Sequence, residues 1–74
     1  MKHIERMEVE LKELKEKIEK GSEFLKFETK YPKFTDEIQR QLLIVQLAYM
    51  ASYAEALKTR INYDKEKTKG GTND

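Results

Sequence analysis

Across residues 36–63 the apolar side chains lie on two heptad tracks, not one. Leu43, Leu47, Met50, Ala54, Leu57 and Ile61 form the first, and Ile38, Leu42, Val45, Tyr49, Ser52 and Ala56 the second. A helix buries one stripe against one neighbour, so two stripes need two partners. The rest of the chain supplies one. Ile4, Met7, Leu11, Leu14 and Ile18, then Gly21 and Leu25, follow the alternating three-and-four spacing of a single helical seam. Glu8 with Lys12, Glu13 with Lys17 and Glu16 with Lys20 keep its outer face solvated, each i,i+4 pair contributing about 0.2 to 0.5 kcal/mol. The first helix therefore folds back on one track of the second, and the other track is left for another copy of the chain or another protein. Ile44, Ala48 and Ala51 point in a third direction, so the middle of the second helix is expected to be surrounded, with close backbone approach at the alanines.

Local signals place the element ends. Tyr31-Pro32 stops the first helix near Glu28, because proline has no N–H to donate and disfavours helical geometry in the residue before it. Thr35 is the expected N-cap of the second helix, followed by two acids in the first turn, with Phe34 packing back onto it. Gly21 costs about 1 kcal/mol relative to Ala inside a helix, so a kink is expected there, in one bent helix in preference to two. Helices of this length span about 40 Å at 1.5 Å per residue. Paired end to end, they bring Arg6 near Thr59 and Leu11 near Ala54. The expected organisation is a helical hairpin over residues 1–63 and a disordered polar tail over 64–74.

Composition removes whole classes of function. Lys and Arg number 15 against 14 Asp and Glu, a net charge of +1, so no one-signed field draws the chain to DNA, RNA or a membrane. Cysteine is absent and His3 is the sole histidine, so neither a disulfide nor a Cys/His metal site staples the fold. A core this small seldom supplies more than about 3 to 5 kcal/mol, and oligomerisation is the remedy left. The expected fold class is thus all-α, an antiparallel two-helix hairpin assembling into a homo-oligomeric bundle. Its interface is assigned to Leu42, Leu43, Val45, Leu47, Met50, Ala54 and Leu57. The N-terminus runs into alternating charge with no secretory signal, and residues 42–57, though 13 of 16 are apolar or Tyr, are too few to span a bilayer. A cytoplasmic protein is expected.

No catalytic set assembles: a nucleophile with its base would have to be built around His3 at a fraying terminus. Asp64, Glu66 and Thr68 imitate a calcium loop, but Lys69 stands where glycine is required. No metal and no cofactor is expected. What remains are Tyr49, Tyr53, Lys58, Thr59, Arg60, Asn62 and Tyr63 on or beside the apolar helix, with Arg6 opposite. Gln46, Tyr53 and Arg60, seven residues apart, line one edge. Aromatic faces for bases and cationic forks for phosphates suit a nucleotide-like anion. The plainer reading makes the tyrosines interface residues and pairs Arg60 with an acid such as Glu5 or Glu8.

The run Glu13-Leu14-Lys15-Glu16-Lys17-Ile18-Glu19-Lys20, then Phe24-Leu25, Gln46-Leu47-Ala48-Tyr49-Met50, Tyr53, Leu57 and Arg60-Ile61 resembles short helical-hairpin proteins of bacteriophages, over residues 4–62. These are similar to the anti-CBASS and anti-Thoeris sponges, compact helical oligomers, typically hexamers. Such sponges hold cyclic oligonucleotides or cyclic ADP-ribose relatives between subunits and starve a defence effector of its signal. Met50, Tyr53 and Ala54 stand where that family carries a small or apolar residue, an aromatic and alanine, although the aromatic is Tyr where Trp is usual and Lys58-Thr59 follows the motif instead of preceding it. The resemblance implies a non-enzymatic sponge acting in an infected bacterium. Arg6, Lys58 and Arg60 would neutralise phosphates, Tyr49 or Tyr53 would stack on a base, and Thr59 or Asn62 would bond to its edge. The rival expectation is an interaction protein whose leftover stripe docks a host or phage protein helix.

Overall fold

The structure is a computed structural model that describes residues 2–69. Two helices, α1 (Lys2–Lys30) and α2 (Glu37–Lys69), pack antiparallel as a hairpin in a rod of 55 × 15 × 13 Å. The seam of α1 is the one its spacing predicts: Ile4 and Met7 are buried, and Leu11, Leu14, Ile18, Gly21 and Leu25 partly so. Against it α2 turns its first track, with Ala54, Leu57 and Ile61 buried and Leu43, Leu47 and Met50 partly buried. Ile4, Met7, Leu57 and Ile61 form the compact core at the open end, with Leu11 packed on it. The second track faces outward: Ile38 is 71% exposed, Leu42 64% and Tyr49 73%.

Gly21 does not interrupt α1, which is helical through it. Its role is steric. A Cβ at position 21 would lie 2.7 Å from Leu47 Cδ2, so the missing side chain makes room for a leucine from the facing helix. The helix penalty of glycine is accepted where the Leu47 side chain fills the space a Cβ would take.

The turn is organised by a residue that local signals pass over. Glu28 is fully buried. Its Oε1 accepts from the N–H groups of Lys33 (3.1 Å), Phe34 (2.9 Å) and Thr35 (2.9 Å) and from the Thr35 hydroxyl (2.8 Å). Thr35 is therefore not the N-cap. Asp36 takes that role in a reciprocal capping box, the Gln39 N–H donating to Asp36 Oδ1 at 2.7 Å and the Asp36 N–H to Gln39 Oε1 at 2.8 Å. Arg40 closes the arrangement by donating to the Thr35 carbonyl at 2.7 Å. Phe34, expected to pack back, is 72% exposed, because its N–H is held by Glu28 while its ring turns outward. Tyr31 donates to the Phe27 carbonyl at 2.8 Å and finishes α1 two residues later than expected.

The second helix also outruns its expected end at Tyr63. Residues 64–69 are helical, not disordered, and residues 70–74 of the expected tail lie outside the described residues. Two side-chain contacts tie the start of the extension to α1: His3 Nε2 is 3.3 Å from Asp64 Oδ2, and Lys65 Nζ pairs with Glu8 Oε2 at 2.6 Å. The long α1 opposite, rich in acids, provides partners that an isolated tail would lack.

Two outcomes test these contacts. In a double-mutant cycle, Gly21→Ala and Leu47→Ala are expected to couple by about 0.5 to 3 kcal/mol, Leu47→Ala costing less once position 21 carries a methyl group; additive effects by chemical denaturation would show that the two residues do not touch. Burial pushes the Glu28 carboxyl up, but the Phe34 N–H, the Thr35 hydroxyl and the N–H groups of Lys33 and Thr35 outweigh it and hold the carboxyl below its ordinary value of 4.5. A depressed folded value stabilises the fold above the unfolded one and loses that effect as pH falls through the folded one. Glu28→Gln is expected to lower the melting temperature at pH 7, and its gap from the parent is expected to narrow below pH 4.5; a pH-independent gap would contradict the charged clamp.

Candidate functional site

In an antiparallel pair, the residue following each seam position turns to the same side on both helices, and the residue preceding it turns to the other. The hairpin therefore has two edges of different chemistry. Lys12 follows Leu11, Lys15 follows Leu14, Lys58 follows Leu57 and Asn62 follows Ile61. With Glu8 and Lys65 these residues line a groove of about 360 Å³ between the helices, floored by Leu11 and Ile61. It holds four ammonium groups and one carboxylate, and Glu8 is paired to Lys65. An apolar floor under several flexible cations is an arrangement that accepts a phosphate-bearing ligand lying flat along the groove.

The opposite edge is built from residues that precede seam positions. Glu10 stands before Leu11, Tyr53 before Ala54 and Arg60 before Ile61. The Tyr53 hydroxyl donates to Glu10 Oε2. That hydrogen bond, partial desolvation and the carboxylate charge push the Tyr53 phenol above its ordinary value, while the nearby Arg60 guanidinium pulls it back. Tyr53 remains 48% exposed, so one face of its ring is open to a ligand or a second subunit.

The cluster expected from sequence is thus divided. Lys58 and Asn62 lie in the groove, joined by Lys12 and Lys15, which sequence reasoning left on the solvated face, and by Lys65, which it placed in the tail. Tyr53 and Arg60 lie on the other edge, where Arg6 and Tyr49, each preceding a seam residue, also belong and are exposed. Thr59 belongs to neither; it faces outward with its hydroxyl donating to the Glu55 carbonyl at 3.0 Å. Of the residues assigned to an interface between copies, Leu42 and Val45 are exposed, whereas Leu43, Leu47, Met50, Ala54 and Leu57 are taken up by the seam with α1. Among the described residues, no group of three or more His, Cys, Asp or Glu is placed to hold a metal ion, and no helix is long and apolar enough to cross a membrane.

The Tyr53 environment is testable. Glu10→Gln is expected to return the phenol towards its ordinary value of 10.0, and Arg60→Ala to raise it further, in a pH titration of the tyrosine ring carbons by NMR. An unchanged Tyr53 titration in Glu10→Gln would show that the two edge residues do not meet.

The Sequestin family model matches residues 1–63. No curated protein and no solved structure matches the chain. The match takes in the whole interhelical seam and both edges apart from Asp64 and Lys65, and on it the chain belongs to the Sequestin family, which implies a sequestering role in place of catalysis.

Proposed function

We propose, with that membership as premise, that this chain is a phage anti-defence sponge. It forms a homo-oligomer that captures cyclic nucleotide immune signals, of the cyclic di- or trinucleotide or cyclic ADP-ribose type, and releases no product. The lysine groove carries this reading. Lys12, Lys15 and Lys58 would neutralise phosphates in it, and Asn62 would donate to a base edge or ribose oxygen. Its volume of about 360 Å³ is at the small end of ligand pockets, which run from about 300 to 1,000 Å³. A ligand of two or more nucleotide units overflows it and needs a second wall.

A second copy is the natural source of that wall. The outward track of Ile38, Leu42, Val45 and Tyr49 is apolar surface that a rod with so small a core has reason to bury, and residues 41–54 of α2 carry no charge that would oppose contact. In such an assembly the edge bearing Arg6, Tyr49, Tyr53 and Arg60 would lie over a neighbouring groove, the tyrosines stacking on bases and Arg60 adding a planar fork for phosphate. A pocket assembled before its ligand arrives loses little ordering entropy on binding, which favours tight capture without turnover.

Native mass spectrometry with cyclic dinucleotides, cyclic trinucleotides and cyclic ADP-ribose isomers tests both parts. A symmetric oligomer retaining whole-number copies of one of these, unchanged in mass, is the expected result. Lys12→Ala with Lys58→Ala should weaken capture by about tenfold or more while the assembly persists, since each removes a charge-assisted contact, and Leu42→Asp should release single hairpins. An oligomer that retains none of the panel would reject the cyclic nucleotide reading and point to a protein partner on the outward track.

A further inference from the structure

The closed end of the rod carries exposed aromatic rings among lysines, about 20 Å along α1 from the groove at 1.5 Å per residue. Phe27 and Tyr31 stand one helical turn apart, ring centroids 5.8 Å apart and planes tilted by 52°. They are 52% and 60% exposed. Lys30 Nζ sits 5.8 Å from the centre of the Tyr31 ring. Glu23, Lys26, Phe27, Lys30 and Tyr31 line an open hollow of about 380 Å³ along one face of the helix. Phe27 stands on the last turns of α1, and the Tyr31 N–H donates to the Phe27 carbonyl at 2.8 Å, so both rings project from hydrogen-bonded helical backbone.

We infer that this hollow is a second binding site, for a nucleoside monophosphate. A purine or pyrimidine ring packs against the faces of Phe27 and Tyr31, its phosphate lies between Lys26 and Lys30, and Glu23 accepts from an exocyclic amine of the base. Each wall is needed for that assignment. Two ammonium groups alone would suit a bare anion, but the rings give such an ion nothing. The rings alone would suit an apolar partner, but three charged side chains rim them. An anionic lipid surface would meet the Glu23 carboxylate with like charge, whereas a base amine meets it with a hydrogen-bond donor. The site shares no residue with the lysine groove and does not depend on the sponge reading.

The test is a titration of the nitrogen-15-labelled full chain with adenosine 5′-monophosphate, followed by amide chemical shifts. Shifts concentrated on residues 23–31 are expected, with adenosine alone and inorganic phosphate alone each binding about tenfold or more weaker, as loss of one charge-assisted or stacking contact demands. Phe27→Ala and Lys30→Ala, both at exposed positions, should each abolish the preference for the nucleotide while circular dichroism shows the same helical content. The inference is overturned if millimolar nucleotide moves none of these amides, if phosphate alone reproduces the shifts, if the shifts fall only on the groove residues, or if the same amides respond to phosphatidylglycerol vesicles and not to the nucleotide.

Discussion

One buried carboxylate sets the geometry on which the hairpin depends. Glu28 gathers the N–H groups of Lys33, Phe34 and Thr35 and the Thr35 hydroxyl onto a single oxygen. That fixes the direction in which the chain leaves α1 and the rotational phase with which α2 begins. The phase decides which of the two apolar tracks meets α1, and the choice propagates along the rod. Leu47 arrives over Gly21, Tyr53 over Glu10 and Asp64 over His3. A turn that left α2 rotated by a third of a revolution would bury the other track and dissolve both edges. The charged form of Glu28 survives burial because donors surround it, a buried carboxylate being tolerable only when its oxygens are satisfied.

Much of this was legible in the residue spacing. The all-helical hairpin, the seam from Ile4 to Leu25, the partner track from Leu43 to Ile61 and the stop at Tyr31-Pro32 all follow from periodicity and from proline's missing donor. What escaped was set by tertiary context. Glu28 falls at the next seam position after Leu25, and a charge on a core stripe signals a buried hydrogen-bonded group, yet read locally it is only a polar residue near a helix end. Thr35 has good capping chemistry but is drawn away to Glu28, leaving the cap to Asp36. Residues 64–69 look like a tail because they lack apolar anchors, whereas the helix continues through them, with Asp64 and Lys65 in contact with His3 and Glu8 of α1. At the site, seven-residue spacing finds the edge with Tyr53 and Arg60. Lys12 was hidden in an i,i+4 pair and Lys15 in the alternating charge around it, and both emerge only when the residues following seam positions are compared on the two helices of the hairpin.

The small core explains why the second track matters. Among the described residues, only Ile4, Met7, Ala54, Leu57 and Ile61 are buried apolar residues, all in the half of the rod towards the open end. Towards the turn, Leu43, Leu47 and Leu25 are only partly covered, and the aromatic residues around them face out. Polar satisfaction at the turn, provided by Glu28, Arg40 and the capping box, does there what hydrophobic burial does at the other end. A hairpin held by side-chain hydrogen bonds at one end and by a few aliphatic contacts at the other can leave the middle of α2 open for association without losing its own shape.

The charge pattern separates the molecule's binding surfaces. At physiological ionic strength the Debye length is about 8 Å, shorter than the roughly 20 Å between the groove and the closed end. In the proposed sites Lys12, Lys15 and Lys58 would therefore act on one ligand, and Lys26 and Lys30 on another, with little electrostatic communication between them. The total charge stays near neutral, at +1, because acids are interspersed with the lysines along the chain, Glu8 and Glu23 among them lining the two clusters themselves. A chain with the same lysines and fewer acids would attract any polyanion. In this one, the two proposed sites pair positive charge with an apolar floor or an aromatic face, a pairing that would favour small molecules combining phosphate with a flat ring.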